Sequence, residues 1–263
     1  MTAYFGYIGA FFIGLVLGLT GGGGAILTVP LLVYVMQMHP VTASAYSLFI
    51  VGTTSAFGTL QNFRKGIVDV KTAFLFAIPS FTAVFLTRKF IVPAIPEIVF
   101  SYANLVVTKA VFLMVLFAII MLVAAYSMLR HTKIEKALPQ NTHPLPIIIK
   151  VFLIGILIGL VGAGGGFLLT PALMVLAKLP IRKAIGTSLL IIALNSLIGF
   201  TGDLGHIVID WILLFVFSAI AIVGIYIGIF LSKFANEQQL KNGFGWFVFL
   251  MAIVILVTEL FFK

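Results

Sequence analysis

Residues 1–63 contain no Asp, Glu, Lys or Arg, and Arg64 is the first charged side chain. Further uncharged runs cover residues 72–87, 110–129, 151–177, 184–202 and 211–232. Only 9% of the chain is charged and 62% is hydrophobic, whereas soluble domains are about 25% charged. The runs are continuous rather than alternating and approach the roughly 20 residues that a helix needs to cross hydrocarbon. The sequence therefore predicts an all-α integral membrane protein.

A repeat relates the two parts of the chain at an offset of 141 residues. Residues 18–32 align with residues 159–173 without a gap, the first reading GLTGGGGAILTVPLL and the second GLVGAGGGFLLTPAL. The register continues to Asp69 and Asp210, with 15 identities over 52 positions. The matches include Gly, Pro, Ser and Asp as well as common aliphatic residues. The offset therefore predicts an internal duplication.

Each half divides into five hydrophobic segments. In the first half they are residues 4–19, 25–38, 41–62, 69–87 and 107–130, and in the second 147–161, 167–179, 183–202, 210–231 and 241–262. Between the halves, residues 131–146 carry charges and three prolines, a composition typical of a solvent loop. The predicted units are a first repeat at 1–130, a polar linker at 131–146 and a second repeat at 147–263.

The first two segments of each half are too short to cross a membrane readily. Each pair forms a re-entrant hairpin, or all ten segments cross with tilt or thinning, or the first segment crosses while the second re-enters. Basic residues separate these models, because they accumulate on the cytoplasmic side. The first two models put twelve on one side and leave Arg88, Lys89, Lys109 and Lys263 on the other, whereas the third gives an even split. We therefore expect inverted repeats with both termini outside, and the short lengths favour re-entry.

The glycine runs break the helix in each half and start a new short helix. The first amides of such a helix have no intrahelical partner, and water is scarce in a membrane. An anion satisfies these amides and the positive end of the helix dipole together. The predicted cradle amides belong to Gly22, Gly23, Gly24 and Ala25, and to Gly164, Gly165, Gly166 and Phe167.

A polar stripe on the third segment of each half recurs at the same offset. Ser47 and Thr54 share one helical face, and their counterparts Ser188 and Asn195 share the equivalent face. Hydroxyls and amides suit an oxyanion that must also be released. Asp203 and His206, spaced i and i+3 at the mouth of the second stripe, are candidates for a proton relay or a gate.

Other chemistry finds little support in the sequence. The chain has no cysteine, and its histidines lack metal-ligand spacing, so we expect no metal site. The glycine runs lack the strand and acidic residue of a dinucleotide fingerprint, and we expect no cofactor. Basic residues cluster in connections, where they set topology and do not indicate nucleic-acid binding. Asp69 and Asp210, each before a long segment, are predicted to be helix N-caps.

The chain resembles the sulfite exporter TauE/SafE family in its glycine hairpins and in Pro30 and Pro171 after them. It also shares the motif AIGTSLL at residues 184–190, which is echoed as ASAYSLF at residues 43–49. This resemblance adds Thr187 to the candidate substrate-binding residues. It also implies transport, in the export direction, of small sulfur oxyanions such as sulfite or organosulfonates, and the expected inverted repeats would work by alternating access. The expected location is the cytoplasmic (inner) membrane, with a small anion and the lipid bilayer as partners and an oligomeric state that the sequence leaves open. The first alternative is a passive anion channel, and the second is a membrane enzyme. The sequence favours an enzyme least, because acid–base groups are scarce in the apolar segments.

Overall fold

Helices dominate the computed structural model, which describes residues 2–102, 105–129, 144–234 and 237–261. The first six are α1 Thr2–Thr20, α2 Ala25–Pro30, α3 Pro40–Arg64, α4 Val70–Leu86, α5 Val92–Ala94 and α6 Lys109–Leu129. The rest are α7 Pro144–Val161, α8 Gly166–Leu176, α9 Ile181–Asp203, α10 Trp211–Leu231 and α11 Glu237–Phe261. Two π-helical turns, Leu31–Val35 after α2 and Thr87–Ile91 after α4, extend their helices.

Four helices within the described ranges are long and apolar enough to cross a membrane: Val70–Ala94, Lys109–Tyr126, Ile181–Asp203 and Trp211–Leu231. Shorter apolar helices cover Phe5–Thr20, Ala25–Val35, Leu145–Val161, Gly166–Leu176 and Gly245–Leu260. Large hydrophobic side chains, such as Val123 and Ile212, remain exposed on these helices. A surface of this kind fits lipid, and the chain is a multi-pass helical membrane protein.

The two helices before each third segment are joined by glycines that bring the start of the second helix close to the first, and we call these pairs the first and the second hairpin. In the first, Gly9 of α1 lies against Leu31, and Gly24 lies against the α1 backbone at Ile13 and Leu17. In the second, Gly165 lies against Ile158 of α7. Side chains larger than hydrogen would separate the helices at these points, so the glycines permit this close packing.

Helices α3 and α9 form the centre of the bundle and run antiparallel. Gly58 of α3 lies near Leu189, and Gly199 of α9 lies near Leu48, so low numbers on one helix meet high numbers on the other. The two contacts correspond to each other at the 141-residue offset. Helix α4 runs parallel to α9, with Gly199 against Val84 and Gly202 against Arg88.

The predicted N-caps of α4 and α10 are confirmed. Asp69 accepts a hydrogen bond from the Thr72 amide and Asp210 from the Leu213 amide, both at 3.0 Å. The backbone amide of Asp69 donates to Thr187 Oγ1 at 3.0 Å, and that of Asp210 donates to Tyr46 Oη at 2.6 Å. Each cap is therefore fastened to one of the central helices, α9 or α3.

Two features differ from the sequence prediction. Residues 144–146, assigned to the linker, begin α7, because prolines are tolerated in the first turn of a helix; the predicted linker residues 131–143 lie outside the described ranges. A β-hairpin of Ile98–Tyr102 and Leu105–Thr108 precedes α6. Its β-branched and aromatic residues favour strands, and this small element interrupts an otherwise helical fold.

Candidate functional site

The two glycine loops meet inside the protein. We call residues 21–24 the first glycine loop and residues 162–166 the second glycine loop. The backbone of Gly22 contacts the backbone of Gly166 so closely that a Cβ on either residue would collide with the other. Both loops are buried. The structure thus brings together the two stretches that the sequence predicted as an anion cradle.

The first glycine loop satisfies part of its own hydrogen-bonding demand. The amide of Gly23 donates to Thr20 Oγ1 at 2.9 Å, and the amide of Ala25 donates to the Gly22 carbonyl at 3.3 Å. The prediction that both amides are free is therefore wrong for this conformation. The Thr20 hydroxyl is the local acceptor for Gly23, and the Gly22 carbonyl is the acceptor for Ala25. Gly24 is fixed against α1, and only six residues form the regular helix α2.

The second glycine loop keeps its amides free. Val161 occupies the position that corresponds to Thr20 and brings no hydroxyl. Within the described residues, no oxygen accepts a hydrogen bond from the amides of residues 164–167. Gly164 and Gly165 have φ of 65° and 71°, a left-handed backbone that glycine adopts without strain. Four successive buried donors therefore precede and begin the eleven-residue helix α8.

Several polar side chains of the central helices have an unpaired buried atom among the described residues, and one of them lies beside this loop. Ser196 Oγ is next to Gly164, at 2.9 Å from where a Cβ on that glycine would lie, and has no partner among the described residues. Asn195 Nδ2 donates to Ser80 Oγ at 2.6 Å, which leaves Asn195 Oδ1 unpaired. Ser47 Oγ and Ser55 Oγ are likewise buried and unpaired within the described ranges. Buried polar atoms normally find partners, so this set of unpaired atoms is unusual.

The remaining predicted hydroxyls already have protein partners. Thr54 Oγ1 donates to the Ile50 carbonyl at 2.6 Å, and Thr187 Oγ1 accepts from the Asp69 amide. Ser188 Oγ donates to the Gly21 carbonyl and lies 3.1 Å from Thr170 Oγ1. These groups hold the helices and the first glycine loop in place. The Phe167 ring is buried and packs against Phe117, so its backbone amide is the part available to an anion.

Sequence reasoning did not place Ser55, Ser196 or Arg88 in the site. Ser55 and Ser196 match at the 141-residue offset, and that identity was the available signal. Arg88 was assigned to an outer connection, where a basic residue marks topology. The structure corrects this assignment: α4 continues through the π-helical turn, and the Arg88 side chain is fully buried.

Arg88 forms a salt bridge with Asp203, the predicted relay or gate residue. Arg88 Nε donates to Asp203 Oδ2 at 2.8 Å, and Arg88 Nη2 lies 2.6 Å from the same oxygen. Arg88 Nη1 donates to Ser44 Oγ at 3.0 Å and to the Gly159 carbonyl at 3.4 Å. Ser44 in turn packs against Gly162, so the pair lies at the base of the second glycine loop. The His206 amide donates to the Asp203 carbonyl, which keeps the histidine next to the pair.

Basic residues collect at the other end of the central helices. Gly186 near the start of α9 lies against Ile67, which follows the end of α3. Partial burial lowers the pKa of Lys65 at the end of α3, and the charge of Lys233, which follows α10, adds to this effect. This cluster belongs to the side on which the sequence placed twelve basic residues.

A separate apolar pocket of about 410 Å³ lies between the first hairpin and α11. Its lining includes Phe12, Leu31 and Met251. A surface of this character suits hydrocarbon rather than an anion, so the pocket is distinct from the polar site.

The fold and the buried polar centre together define a helical membrane transporter. A model of the family described as "Sulfite exporter TauE/SafE" matches residues 7–255. The chain therefore belongs to the TauE/SafE family. No solved structure matches it.

Curated relatives agree with this membership. A "Probable membrane transporter protein" of Xylella fastidiosa (strain 9a5c) is 30% identical over 251 residues, which are 93% of this chain and 91% of the relative. The "Probable membrane transporter protein YdhB" of Bacillus subtilis (strain 168) is 26% identical, over 86% of this chain and 87% of the relative. YjnA of the same bacterium, named in the same terms, is 27% identical over 95% of both chains. These names describe membrane transporters and not enzymes.

Proposed function

We propose that this protein is a secondary transporter of small sulfur-containing oxyanions, such as sulfite and organosulfonates, and that it binds them at the second glycine loop. The observation that carries the proposal is the run of unpaired buried amides at residues 164–167 beside the unpaired Ser196 hydroxyl. Amides at a helix N-terminus favour negative charge and point at it. A sulfonate or sulfite group offers three acceptor oxygens to such donors.

The remaining members of the site are Asn195 and Ser47, with Gly22 closing it from the first hairpin. Asn195 Nδ2 is engaged by Ser80, and rotation of the amide would offer it to an anion instead. The uncharged donors bind an anion without holding it as strongly as fixed cations would. This suits a substrate that has to leave on the opposite side.

We also propose that residues 1–130 and 147–263 are inverted repeats joined by the linker that includes residues 131–143. Support comes from α3 and α9, which correspond at the 141-residue offset and run antiparallel. Inverted repeats allow one half to rock against the other around a shared site, which is alternating access. The location in this proposal is the inner membrane, with the basic end of α3 and α9 in the cytoplasm and both termini outside. Export is the proposed direction, following the description of the family.

Flux into liposomes that contain the purified full chain tests this function. We expect sulfur-labelled sulfite or a small organosulfonate to cross with a rate that saturates with concentration. A rate that does not saturate, or single-channel currents, would indicate a passive channel instead. Ligand-dependent thermal shifts with sulfite, sulfate, thiosulfate, sulfonates and carboxylates would rank the substrates, because binding to the native state stabilises it.

Variants of the site sharpen the test. Ser196→Ala and Gly165→Leu are expected to slow flux, the second more strongly because its side chain would enter the loop at positive φ. Thr82→Ala is the matched control for hydroxyl removal, since Thr82 is an exposed residue that bonds only to its own helix. Flux equal to that of the unaltered protein in both site variants would exclude the second glycine loop as the binding site.

A further inference from the structure

The Arg88–Asp203 pair places full charges in a site whose other donors are neutral. The Arg88 side chain is 0% exposed and that of Asp203 is 6% exposed. Removing such charges from water costs several kcal/mol each unless other groups compensate. A buried pair of this kind is weak evidence for a stabilising role, because the cost of removing both charges from water can cancel their attraction.

The geometry around Arg88 leaves part of its guanidinium unused. Nε and Nη1 donate to Asp203, Ser44 and Gly159, whereas Nη2 approaches Asp203 Oδ2 without the alignment of a hydrogen bond. Nε and Nη2 therefore both face the same carboxylate oxygen, Asp203 Oδ2, and of these two nitrogens Nε alone donates to it. Guanidinium binds planar or tetrahedral oxyanions best with two oxygens, one for each nitrogen. A second oxyanion could satisfy Arg88 better than Asp203 does.

The position of Arg88 connects it with the free amides. Ser44, which accepts a hydrogen bond from Arg88, packs against Gly162. Gly159, whose carbonyl also accepts from Arg88, lies on α7 three residues before Gly162. Thr87 Oγ1, next to Arg88 in sequence and packed against Gly159, is buried and unpaired within the described residues. Arg88 therefore lies at the start of the same loop whose other end presents the amides of residues 164–167.

We propose that Arg88 is the charged anchor of the transported oxyanion and that Asp203 is an internal competitor, which occupies Arg88 until it takes up a proton. This inference rests on the proposed function and adds to it a residue and a coupling ion. When Asp203 is ionised, its carboxylate fills the site of the substrate. When a proton from the aqueous phase binds the carboxylate oxygen, the pair is broken and Arg88 accepts the substrate anion.

The charges balance in this exchange. One carboxylate is neutralised by one proton, and one monoanionic substrate replaces it at Arg88. A monoanion and a proton therefore cross together in the same direction, without net charge movement. Export in this scheme is driven by the outward concentration gradient of the anion, and an imposed proton gradient drives accumulation on the side that the protons enter. Arg88 from the turn after α4 and His206 from the loop after α9 are the ionisable groups of the described residues that act on the Asp203 carboxyl. Among the described residues, α3 and α7 contribute the Ser44 hydroxyl and the Gly159 carbonyl, both of which accept hydrogen bonds from Arg88.

The test measures methanesulfonate binding and liposome flux between pH 5.5 and 8, on the order of one to two units either side of an ordinary histidine. Methanesulfonate is the probe because it stays a monoanion over this range, whereas sulfite itself takes up a proton. For the unaltered protein we expect binding to strengthen as pH falls, and a proton gradient to drive anion accumulation. Asp203→Asn is expected to bind the anion with an affinity that no longer follows pH and to lose accumulation driven by the gradient. Arg88→Gln is expected to weaken binding at least tenfold at every pH.

The double variant R88Q/D203N separates a binding role from a structural one. Neutral amides at both positions can bond to each other, so we expect the double variant to fold where a single variant leaves one buried charge unpaired. If the pair were structural only, this variant would bind the anion as the unaltered protein does, and that result would overturn the inference. We expect its binding to remain at least tenfold weaker.

Two further outcomes are distinguishable. Accumulation by Asp203→Asn that still follows the proton gradient would overturn the competitor role, while the transport function would stand. If the unaltered protein neither bound nor transported any anion of the panel, the proposed function itself would fail.

Discussion

Gly22 and Gly166 contact each other through their backbones, at the point where the two glycine loops meet. Neither residue has space for a Cβ, because the nearest atoms on the partner are main-chain atoms that cannot rotate away. The contact joins hairpins that are far apart in sequence. It therefore fixes the position of the second glycine loop relative to α1 and α2.

Gly166→Ala is expected to destabilise the protein. Overpacking a well-packed interior costs about 1–3 kcal/mol, and here the collision involves backbone. We expect a lower midpoint of thermal unfolding in detergent, together with slower anion flux. The control is Gly243→Ala on α11, where no atom lies within 4 Å of an added Cβ. That substitution should be neutral or stabilising by up to about 1 kcal/mol, because alanine favours helix. Equal effects of the two substitutions would contradict the contact.

Asn195→Leu should weaken anion binding more than it lowers stability. The substitution removes the Nδ2 donor that the proposed site offers to the anion, and it leaves Ser80 Oγ without its donor. Loss of one hydrogen bond to a charged ligand costs about 1.5–3 kcal/mol, which corresponds to at least a tenfold change in dissociation constant. Titration of the purified variant with sulfite or a sulfonate measures this change.

Ser80→Ala provides the comparison for Asn195→Leu. This variant frees Asn195 Nδ2 while keeping the side chain in place. We therefore expect binding that equals or exceeds that of the unaltered protein. Parallel losses in Ser80→Ala and Asn195→Leu would indicate that the helix contact, and not the anion, depends on Asn195.

Helix capping offers a test that is independent of transport. Asp69 and Asp210 have nearly identical backbone angles, with φ of −88° and ψ of 96° and 94°. Removing an aspartate N-cap costs about 0.5–2 kcal/mol, so Asp69→Ala and Asp210→Ala should lower the unfolding midpoint by similar amounts. Asn at either position should retain most of the stability. A loss in one variant only would show that the two caps are not energetically equivalent.

Local physics made much of the fold readable from the sequence. Long uncharged runs predicted the helices, glycine runs predicted the breaks, and Asp69 and Asp210 carried recognisable capping signals. Arg88 could not be placed in this way, because its burial depends on Asp203 and Ser44, which are distant in sequence. A basic residue near the end of an apolar run looks the same whether it faces water or a carboxylate.

The candidate site likewise has a part that the sequence predicted and a part that it did not. The glycine loops were predicted as a pair because their sequences repeat, but their amides differ in the structure. Thr20 caps Gly23, and Val161 offers nothing to Gly164. The repeat pattern favours equivalence between halves, whereas the Thr20 hydroxyl pairs one amide of the first glycine loop whose counterpart in the second loop stays free. That difference was visible in the sequence as a mismatch within the repeat.

Exchange of these two residues makes the most specific prediction. Thr20→Val removes the acceptor of the Gly23 amide and leaves a buried donor unpaired, at a cost of about 1–3 kcal/mol. We expect a lower unfolding midpoint in the absence of ligand. The buried Val161 is the corresponding residue, and Val161→Thr places a hydroxyl three residues before Gly164, as Thr20 stands three residues before Gly23.

Val161→Thr should therefore have the opposite pattern. Its hydroxyl would cap an amide that the unaltered protein leaves free, so stability without ligand should be retained or raised. The same hydroxyl would compete with the anion, and binding should weaken by about threefold to tenfold, since a net hydrogen bond is worth about 0.5–1.5 kcal/mol. Thermal unfolding with and without saturating sulfite measures both effects on one sample. Tighter anion binding by Val161→Thr would contradict the assignment of the free amides of the second glycine loop to the substrate.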